Sequence, residues 1–507
     1  MRKQTFIKLS SKIFIFILVH CLSSLSYGQT NRYWSQNFNE EASLLAGAVV
    51  GGGTGVSAIY YNPANISEIE TSKLSVNASL FAIEFFNYKN ALGNDINLKE
   101  SKFQLQPRFI SYLVQPKNNK RLSLEFAVLN NEFLDMEMAY TEEKMMDILT
   151  NLEGNEKYIG TFRTSQYFRD DWLGFGGSYK IDNALSVGMS MFLSIKNLEY
   201  QYMLDVEAYP LTDTVYNNNL AVPFYSATAQ KIEYVKFNNN RLIWKFGFKY
   251  KPERLGIGIN ITTPSVGLFS GGKVASGKIK QSNISNPNGN EFLPDMLIVD
   301  TQTKNEISVG MKNPLSIAFG FTYDNQDNKK TFFATIEYFN EITPYKLVVA
   351  SENPNITTQE NYEKLETKDW LSYAYGAKSV VNVALGYRWD ISEDMLILTG
   401  FRTDFNYLKN LDYGELSNYN RLQDLVYNVY HITGGGQLTI LKINIIAGLQ
   451  YSYGRKKDQL QLINMADPVE YNTVENAPLQ GTRENTMILN YNKISLFLGA
   501  TLSFGTN

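Results

Sequence analysis

Residues Leu185-Ser-Val-Gly-Met-Ser-Met-Phe-Leu-Ser-Ile195 place Leu185, Val187, Met189, Met191, Leu193 and Ile195 on one face of an extended chain, with mostly serine and glycine on the other. Alternation with period two is the pattern of a β-strand with one apolar face and one polar or small face. The pattern recurs. Leu315, Ile317, Phe319, Phe321 and Tyr323 alternate with Ser316, Ala318, Gly320 and Thr322, and Leu242, Trp244, Phe246, Phe248 and Tyr250 alternate with residues that include Lys245 and Gly247. The chain closes on Ile494, Leu496, Leu498, Ala500, Leu502 and Phe504 against Ser495, Gly499, Thr501 and Ser503. One such strand also suits an antiparallel sandwich in water, so the order of the strands has to decide.

That order lies in the connectors. Short polar breaks occur at Gln115–Lys120, Ile181–Ala184, Lys251–Arg254, Asp324–Lys330, Asp390–Asp394 and Leu441–Lys442. Between them lie longer stretches around 88–100, 141–157, 208–228, 279–303, 351–370, 412–424 and 457–485. Short and long connectors alternate, which implies about 14 antiparallel strands with all the long loops on one side, as in transmembrane β-barrels. Closure is what lets strands cross a bilayer, because an open edge would leave backbone groups unpaired in hydrocarbon. The expected fold is all-β, a transmembrane barrel over 71–507.

The ends and the composition agree. Arg2, Lys3, Lys8 and Lys12 precede the apolar run Ile13-Phe-Ile-Phe-Ile-Leu-Val19, and Ser26-Tyr-Gly28 ends in small residues, so 1–28 reads as a secretory signal peptide. The run is too short to span a membrane as a helix. Cys21 does not make a lipoprotein signal, because His20 stands where a small residue is needed. Removal of 1–28 takes away four basic and no acidic residues, so the formal charge falls from −3 to −7. No basic excess points to nucleic acid. The chain has one cysteine, Cys21, and two histidines, of which only His431 lies beyond 28. Disulfides, cysteine metal sites and thiol nucleophiles are therefore excluded from the mature part, and neither a metal nor another cofactor is expected. A hydrolase would have to use His431, which sits in a strand and reads more simply as a residue of the barrel wall. Aromatic residues make up 13% of the chain, a share that suits interfacial girdles.

Between Glu41 and Glu68 there is no charge, and residues 42–66 are rich in glycine, alanine and small apolar side chains. The length allows a transmembrane helix, and Gly47, Gly51 and Gly55 even keep a small-xxx-small spacing. The run Gly51, Gly52, Gly53, Thr54, Gly55 is poor helix, however, and Asn62-Pro63 would stop one. No Gly-Lys-Ser/Thr follows, as a phosphate loop requires. The preferred reading is a hatch, residues 29–70, packed inside the barrel, with Tyr60-Tyr61-Asn62-Pro63-Ala64 turning into the first strand.

The stretch Val56-Ser-Ala-Ile-Tyr-Tyr-Asn-Pro-Ala64, set just before the first strand, resembles the FadL-type long-chain fatty-acid transporters and their hydrocarbon-channel relatives. Gly258-Ile-Asn-Ile-Thr-Thr-Pro-Ser-Val266 is a further echo. Acidic and Ser/Thr residues often found ahead of the aromatic pair in that family are replaced here by Gly-Val-Ser-Ala, and the Tyr- and Asn-rich style is that of Bacteroidetes relatives. The resemblance implies a monomeric outer-membrane channel, not an enzyme. Its partners would be a hydrophobic small molecule (fatty acid or hydrocarbon) and the outer-membrane lipid. The hatch would shift, and the ligand would leave sideways through the wall. On this chain Lys245, Arg388 or Arg402 would meet a carboxylate head group. Met145, Met146, Leu149 and Leu152, on one face of a short helix expected after Thr141, would offer a capture surface; packing within the loop is the alternative. A lateral opening is expected at Asn130 and Glu132. These interrupt the outward row Leu122, Leu124, Phe126, Val128, which Leu134 and Met136 are expected to resume. A structural or adhesive surface barrel, binding a partner through its long loops, is the alternative function.

Overall fold

The computed structural model describes residues 32–503 except 35–37, 54, 70–72, 117, 212–213, 218–219, 224–225, 286–291, 294–295, 304–306, 352–370, 410–415, 417–418, 421, 423–425 and 441–442. The signal-peptide reading therefore lies outside the described residues.

The alternating segments become strands, and the strands close. In chain order they are β1 (Lys73–Lys89), β2 (Leu98–Val114), β3 (Leu122–Met146), β4 (Glu156–Lys180), β5 (Leu185–Pro210), β6 (Ala227–Tyr250) and β7 (Leu255–Thr262). They continue as β8 (Ser316–Asn325), β9 (Lys330–Phe339), β10 (Val380–Asp390), β11 (Met395–Asp404), β12 (Val429–Ile440), β13 (Ile443–Gln459) and β14 (Met487–Ser503). Each pairs antiparallel with the next, and β14 pairs with β1, so these strands form a closed ring. Five of the short connectors fall between consecutive strands on one side, and Leu441–Lys442 lies outside the described residues. On the other side β3 to β6 run far past the apolar band, to 26 residues in β5. Val266–Ser282 continues the wall beyond β7 and pairs with the upper part of β6.

The outward rows carry the apolar residues: Met189, Phe246, Phe248, Phe319, Phe321 and Ile494 are all exposed. The inward rows are small or polar, with Ser186, Ser190, Ser194 and Thr433 buried. In hydrocarbon this is the stable orientation, since neighbouring strands around the closed ring satisfy one another's hydrogen bonds and the apolar side chains meet lipid.

The expected helix after Thr141 is not there. Residues 141–146 are the end of β3, paired from Thr141↔Thr161 to Met146↔Glu156. A Glu143–Lys157 ion pair lies across that pairing (3.0 Å). Helix-favouring residues are overridden because the neighbouring strand offers a full ladder and cross-strand charge pairs. Met145 is exposed and Met146 half-buried, whereas Leu149 and Leu152 are buried in the core on the long-loop side of the barrel. The four do not form one capture face.

The hatch lies inside the ring as short pieces: an α-helical turn at Glu40–Leu44, a 3-10 turn at Gly55–Ser57, a helical turn at Ala58–Tyr61 and a 3-10 turn at Pro63–Glu68. No helix among the described residues is long and apolar enough to cross a membrane. Inward glycines let the hatch backbone approach the wall. A Cβ on Gly247 would lie 2.6 Å from Ala64 N, one on Gly258 would lie 2.7 Å from Val50 C, one on Gly320 would lie 2.5 Å from Val50 C, and one on Gly400 would lie 2.7 Å from Leu45 C. Gly53, at φ 77°, has no room either, because a Cβ would meet Phe333 Cε1 at 2.6 Å.

The inward hydroxyls do the complementary work. Ser111 donates to Val56 O (3.1 Å), Ser190 to Ile59 O (2.9 Å), Ser186 to Ala64 O (3.0 Å) and Thr433 to Leu44 O (2.6 Å). The irregular hatch backbone is thus hydrogen-bonded by the wall that encloses it. Gly320→Val keeps a good strand residue in β8 but fills the space used by Val50 and Gly51. The expected outcome is a barrel that still assembles, seen by heat-modifiable gel mobility, with a cysteine introduced at Ser57 becoming open to thiol reagents. Unchanged protection at position 57 would show that the glycine contact does not hold the hatch.

Candidate functional site

Asn62 is fully buried at the junction of hatch and wall. Its Nδ2 donates to Val50 O (2.9 Å) and Phe248 O (3.1 Å), and its Oδ1 accepts from Ala64 N (3.1 Å). One side chain therefore ties the glycine run, β6 and the turn started by Pro63. A Lys249–Glu68 ion pair fixes the end of the same turn. Loss of three hydrogen bonds at a buried position costs roughly 2–4 kcal/mol.

Above this junction, Trp34, Tyr60, Tyr61, Lys245, Glu337 and Arg402 line a narrow internal cavity of about 20 Å³, room for about one water. Two of the three cationic residues singled out in the sequence, Lys245 on β6 and Arg402 on β11, thus meet at one place. Both are buried. Lys245 makes no ion pair among the described residues, and its Nζ sits 4.2 Å from the centroid of the Tyr60 ring. Arg388 is elsewhere. It lines an open recess among the short turns, with Asp390 (2.8 Å) and Glu41 (3.3 Å) as its ion-pair partners.

The start of the hatch, residues 32–34, carried no distinctive sequence signal but closes the cavity. Trp34 Nε1 donates to Glu337 Oε2 (2.7 Å), and Trp34 N to Asp404 Oδ1 (3.0 Å). Arg32 pairs with Asp404 (3.5 Å), and the Tyr33 ring stacks between Phe339 (4.2 Å) and Tyr407 (4.0 Å). His431 belongs to the same buried network, with Nδ1 at 2.7 Å from Ser452 Oγ and Nε2 at 3.9 Å from Asp404 Oδ2. Ser452 is wholly buried, and its hydroxyl also accepts from Gln450 (3.0 Å). That is a wall histidine held by its neighbours rather than a base poised beside an accessible nucleophile. Among the described residues no cluster of three or more His, Cys, Asp or Glu is placed to hold a metal.

The wall changes next to the cavity. β2 and β3 pair only from Phe109↔Leu129 to Val114↔Leu124. Beyond Leu129, β3 pairs with β4 alone, and Glu137 N reaches across to Glu100 Oε2 (2.9 Å). A bulge separates Asn130↔Asp171 from Glu132↔Asp170, so Asn131 is the extra residue. One extra residue reverses the faces of the strand. The expected continuation of the outward row through Leu134 and Met136 is therefore corrected: Met136 and Met138 are buried inside the lumen, and Glu137 points out. The bulge rests on a buried group, Asp170, which pairs with Lys196 (3.0 Å) and accepts from Ser194 (2.6 Å), Trp172 (2.8 Å) and Asn131 (3.2 Å). Tyr60 touches both places: it lines the cavity and its hydroxyl donates to Asn131 Oδ1 (3.2 Å).

An all-β ring of this size, enclosing an N-terminal hatch, has a counterpart among solved membrane-protein structures. A Pseudomonas aeruginosa FadL homologue matches over 95% of this chain and 100% of its own, with TM-score 0.51 and 11% identity. The Pseudomonas putida toluene transporter TodX matches over 90% and 95%, with TM-score 0.51 and 13% identity. No protein-family model and no curated protein matches the chain. The chain has the fold of the FadL-type transporters.

Burial of Glu40 is expected to make the seating of the hatch depend on pH. Its side chain is buried against Gly499 of β14, and burial pushes its carboxyl up to about 8. The folded state therefore holds this proton more tightly than the unfolded chain. The stabilisation is complete below the ordinary carboxyl range and is lost as pH rises toward about 8. A spin label in the hatch should become more mobile between pH 6 and pH 8 (roughly the upper part of that window), and Glu40→Gln should abolish the change. A flat profile in the unmodified protein would show that Glu40 does not control docking.

Proposed function

We propose that the protein is an outer-membrane channel for passive uptake of hydrophobic compounds, with long-chain fatty acids as the leading substrate class. The observation that carries this reading is the position of Tyr60. It separates an enclosed cavity holding Lys245 and Arg402 from the stretch of wall where β2 and β3 part. A ligand that displaces Trp34, Tyr60 and Tyr61 gains an apolar, aromatic site with cations for a carboxylate. The same displacement frees the bulge at Asn130–Glu132, and the exit for a hydrophobic molecule lies sideways, into the bilayer. Such a path avoids a water-filled pore, in which an apolar solute gains nothing. No energy source is required, since a hatch equilibrium biased by ligand contacts suffices. The fold shared with the toluene transporter supports a hydrophobic cargo, and Lys245 with Arg402 favours one bearing an anionic head.

Uptake of labelled oleate and of toluene should be compared in a host lacking its own fatty-acid channel. The unmodified protein and Asn62→Ala/Pro63→Ala should be tested at equal surface level. Oleate uptake that falls several-fold in the variant is the expected outcome. Uptake of toluene alone would move the substrate class to neutral hydrocarbons, and uptake of neither from a folded barrel would end the channel reading. A photoreactive fatty acid should label a probe residue at position 130 and spare one at position 124; equal labelling would remove the lateral exit.

A further inference from the structure

The loop between β13 and β14 does not stay at its own edge of the ring. The ladder of these two strands ends at Gln459↔Met487, and residues 460–486 then cross the end of the barrel that carries the long loops. Their two limbs are joined by bonds from Gln461 N to Glu484 O (3.0 Å) and from Gly481 N to Asn464 O (2.8 Å). The tip is a small hairpin, Val469–Asn472 paired with Ala477–Gln480. It touches β5, β6 and the segment Ile284–Ser285, well round the ring from β14. Ile463, Met465 and Leu479 are wholly buried, in the same apolar core as Tyr158, Phe162 and Leu204 of the tall strands.

The loop is held differently on its two sides. Near its root, backbone bonds tie it to the neighbouring β1–β2 connection: Leu462 N donates to Ala91 O (2.9 Å) and Met465 N to Leu92 O (2.7 Å). On the far side, among the described residues, no backbone-to-backbone hydrogen bond joins it to β3–β6 or to their connections. Side chains make those contacts instead.

Glu470, which is buried at the tip, makes three of them. Its Oε2 accepts from Thr150 N (2.9 Å) and Thr150 Oγ1 (2.6 Å), and its Oε1 accepts from Ser285 N (2.7 Å). One carboxylate thus joins the tip to two separate loops of the opposite wall. Lys144 Nζ donates to Met465 O (3.2 Å) and Ala466 O (2.9 Å), and the Tyr158 hydroxyl donates to Leu479 O (3.3 Å). Leu479 stands at φ 52°, a left-handed conformation that strains a residue bearing a side chain.

We propose that residues 460–486 are a lid, hinged at the β1–β2 connection and latched across the barrel by Glu470. The proposal rests on the channel reading, which sets this end of the barrel outside the cell. Cargo arriving there meets the lid before it meets the hatch, so uptake takes two openings in series. Opening breaks side-chain contacts alone, leaves the ladders of the wall intact and lets Leu479 relax. An apolar cargo favours the open state, because it covers Ile463, Met465 and Leu479 as they leave the core. A polar solute of equal size does not.

The test uses the full chain in the outer membrane of a host lacking its own fatty-acid channel. Asn151→Cys and Val469→Cys, at exposed positions beside Thr150 and Glu470, are joined by a short thiol linker that a reductant cleaves. Uptake of labelled oleate or toluene should fall several-fold on linking and return on reduction, while the unmodified protein ignores both reagents. Glu470→Ala should act the other way. It should quicken thiol labelling of Thr164→Cys, a buried inward position on β4, by roughly tenfold, the weight of one charge-assisted contact. Heat-modifiable gel mobility checks that each variant is folded. Uptake unchanged by linking would overturn the lid and leave the channel reading standing, and labelling unchanged by Glu470→Ala would overturn the latch. No uptake by the unmodified protein, with labelling at position 164 still quickened by Glu470→Ala, would keep the lid and end the channel reading.

Discussion

Every backbone donor and acceptor in the hydrocarbon layer needs a partner within the protein, and the rest of this architecture follows from that constraint. The ring from β1 to β14 meets it by closure. The same requirement governs the hatch, whose irregular backbone would be intolerable in an apolar interior. Serine and threonine hydroxyls on the inward rows supply its missing partners, and glycines on those rows let it come close enough to use them. The wall and its contents therefore depend on the same residues.

Where the ladder stops, function becomes possible. β2 and β3 part above Leu129, and beyond Gln459↔Met487 the chain leaves the wall altogether. At both places side chains take over from backbone pairing: the Asp170–Lys196 group supports the first, and Glu470 the second. Buried charges held in this way are sensitive to what binds beside them, because low polarity strengthens every interaction they make or lose.

Much of this was legible in the residues. The turns at 115–120, 181–184 and 251–254 sit where their Pro, Asn, Asp and Lys content put them, and the alternation at 185–195 and 315–323 gave the faces correctly. Asn62-Pro63 and the glycine run marked a broken, packed segment rather than a spanning helix. Lys245 and Arg402 could be recognised as inward charges, but not as neighbours, since β6 and β11 meet only across a closed lumen. Arg388 looked equivalent to them and is not, because its height on β10 puts it among the short turns. The short helix expected after Thr141 failed since local propensity is weak against a partner strand already extended beyond the membrane. Met136 was assigned to the wrong face for a different reason: Asn130, Asn131 and Glu132 revealed that the row breaks, but polarity alone does not show that one residue has been added.

The sequence by itself determined the strand periodicity, the alternation of short and long connectors, and hence a closed barrel with small residues lining its interior. Those properties depend on neighbours along the chain, where period two and turn chemistry act directly. Only the tertiary structure decided which strands part, which way β3 faces beyond its bulge, and how Arg32, Tyr33 and Trp34 fill the lumen. These depend on register and on contacts between residues far apart in sequence, and a shift of one residue reverses every face that follows it.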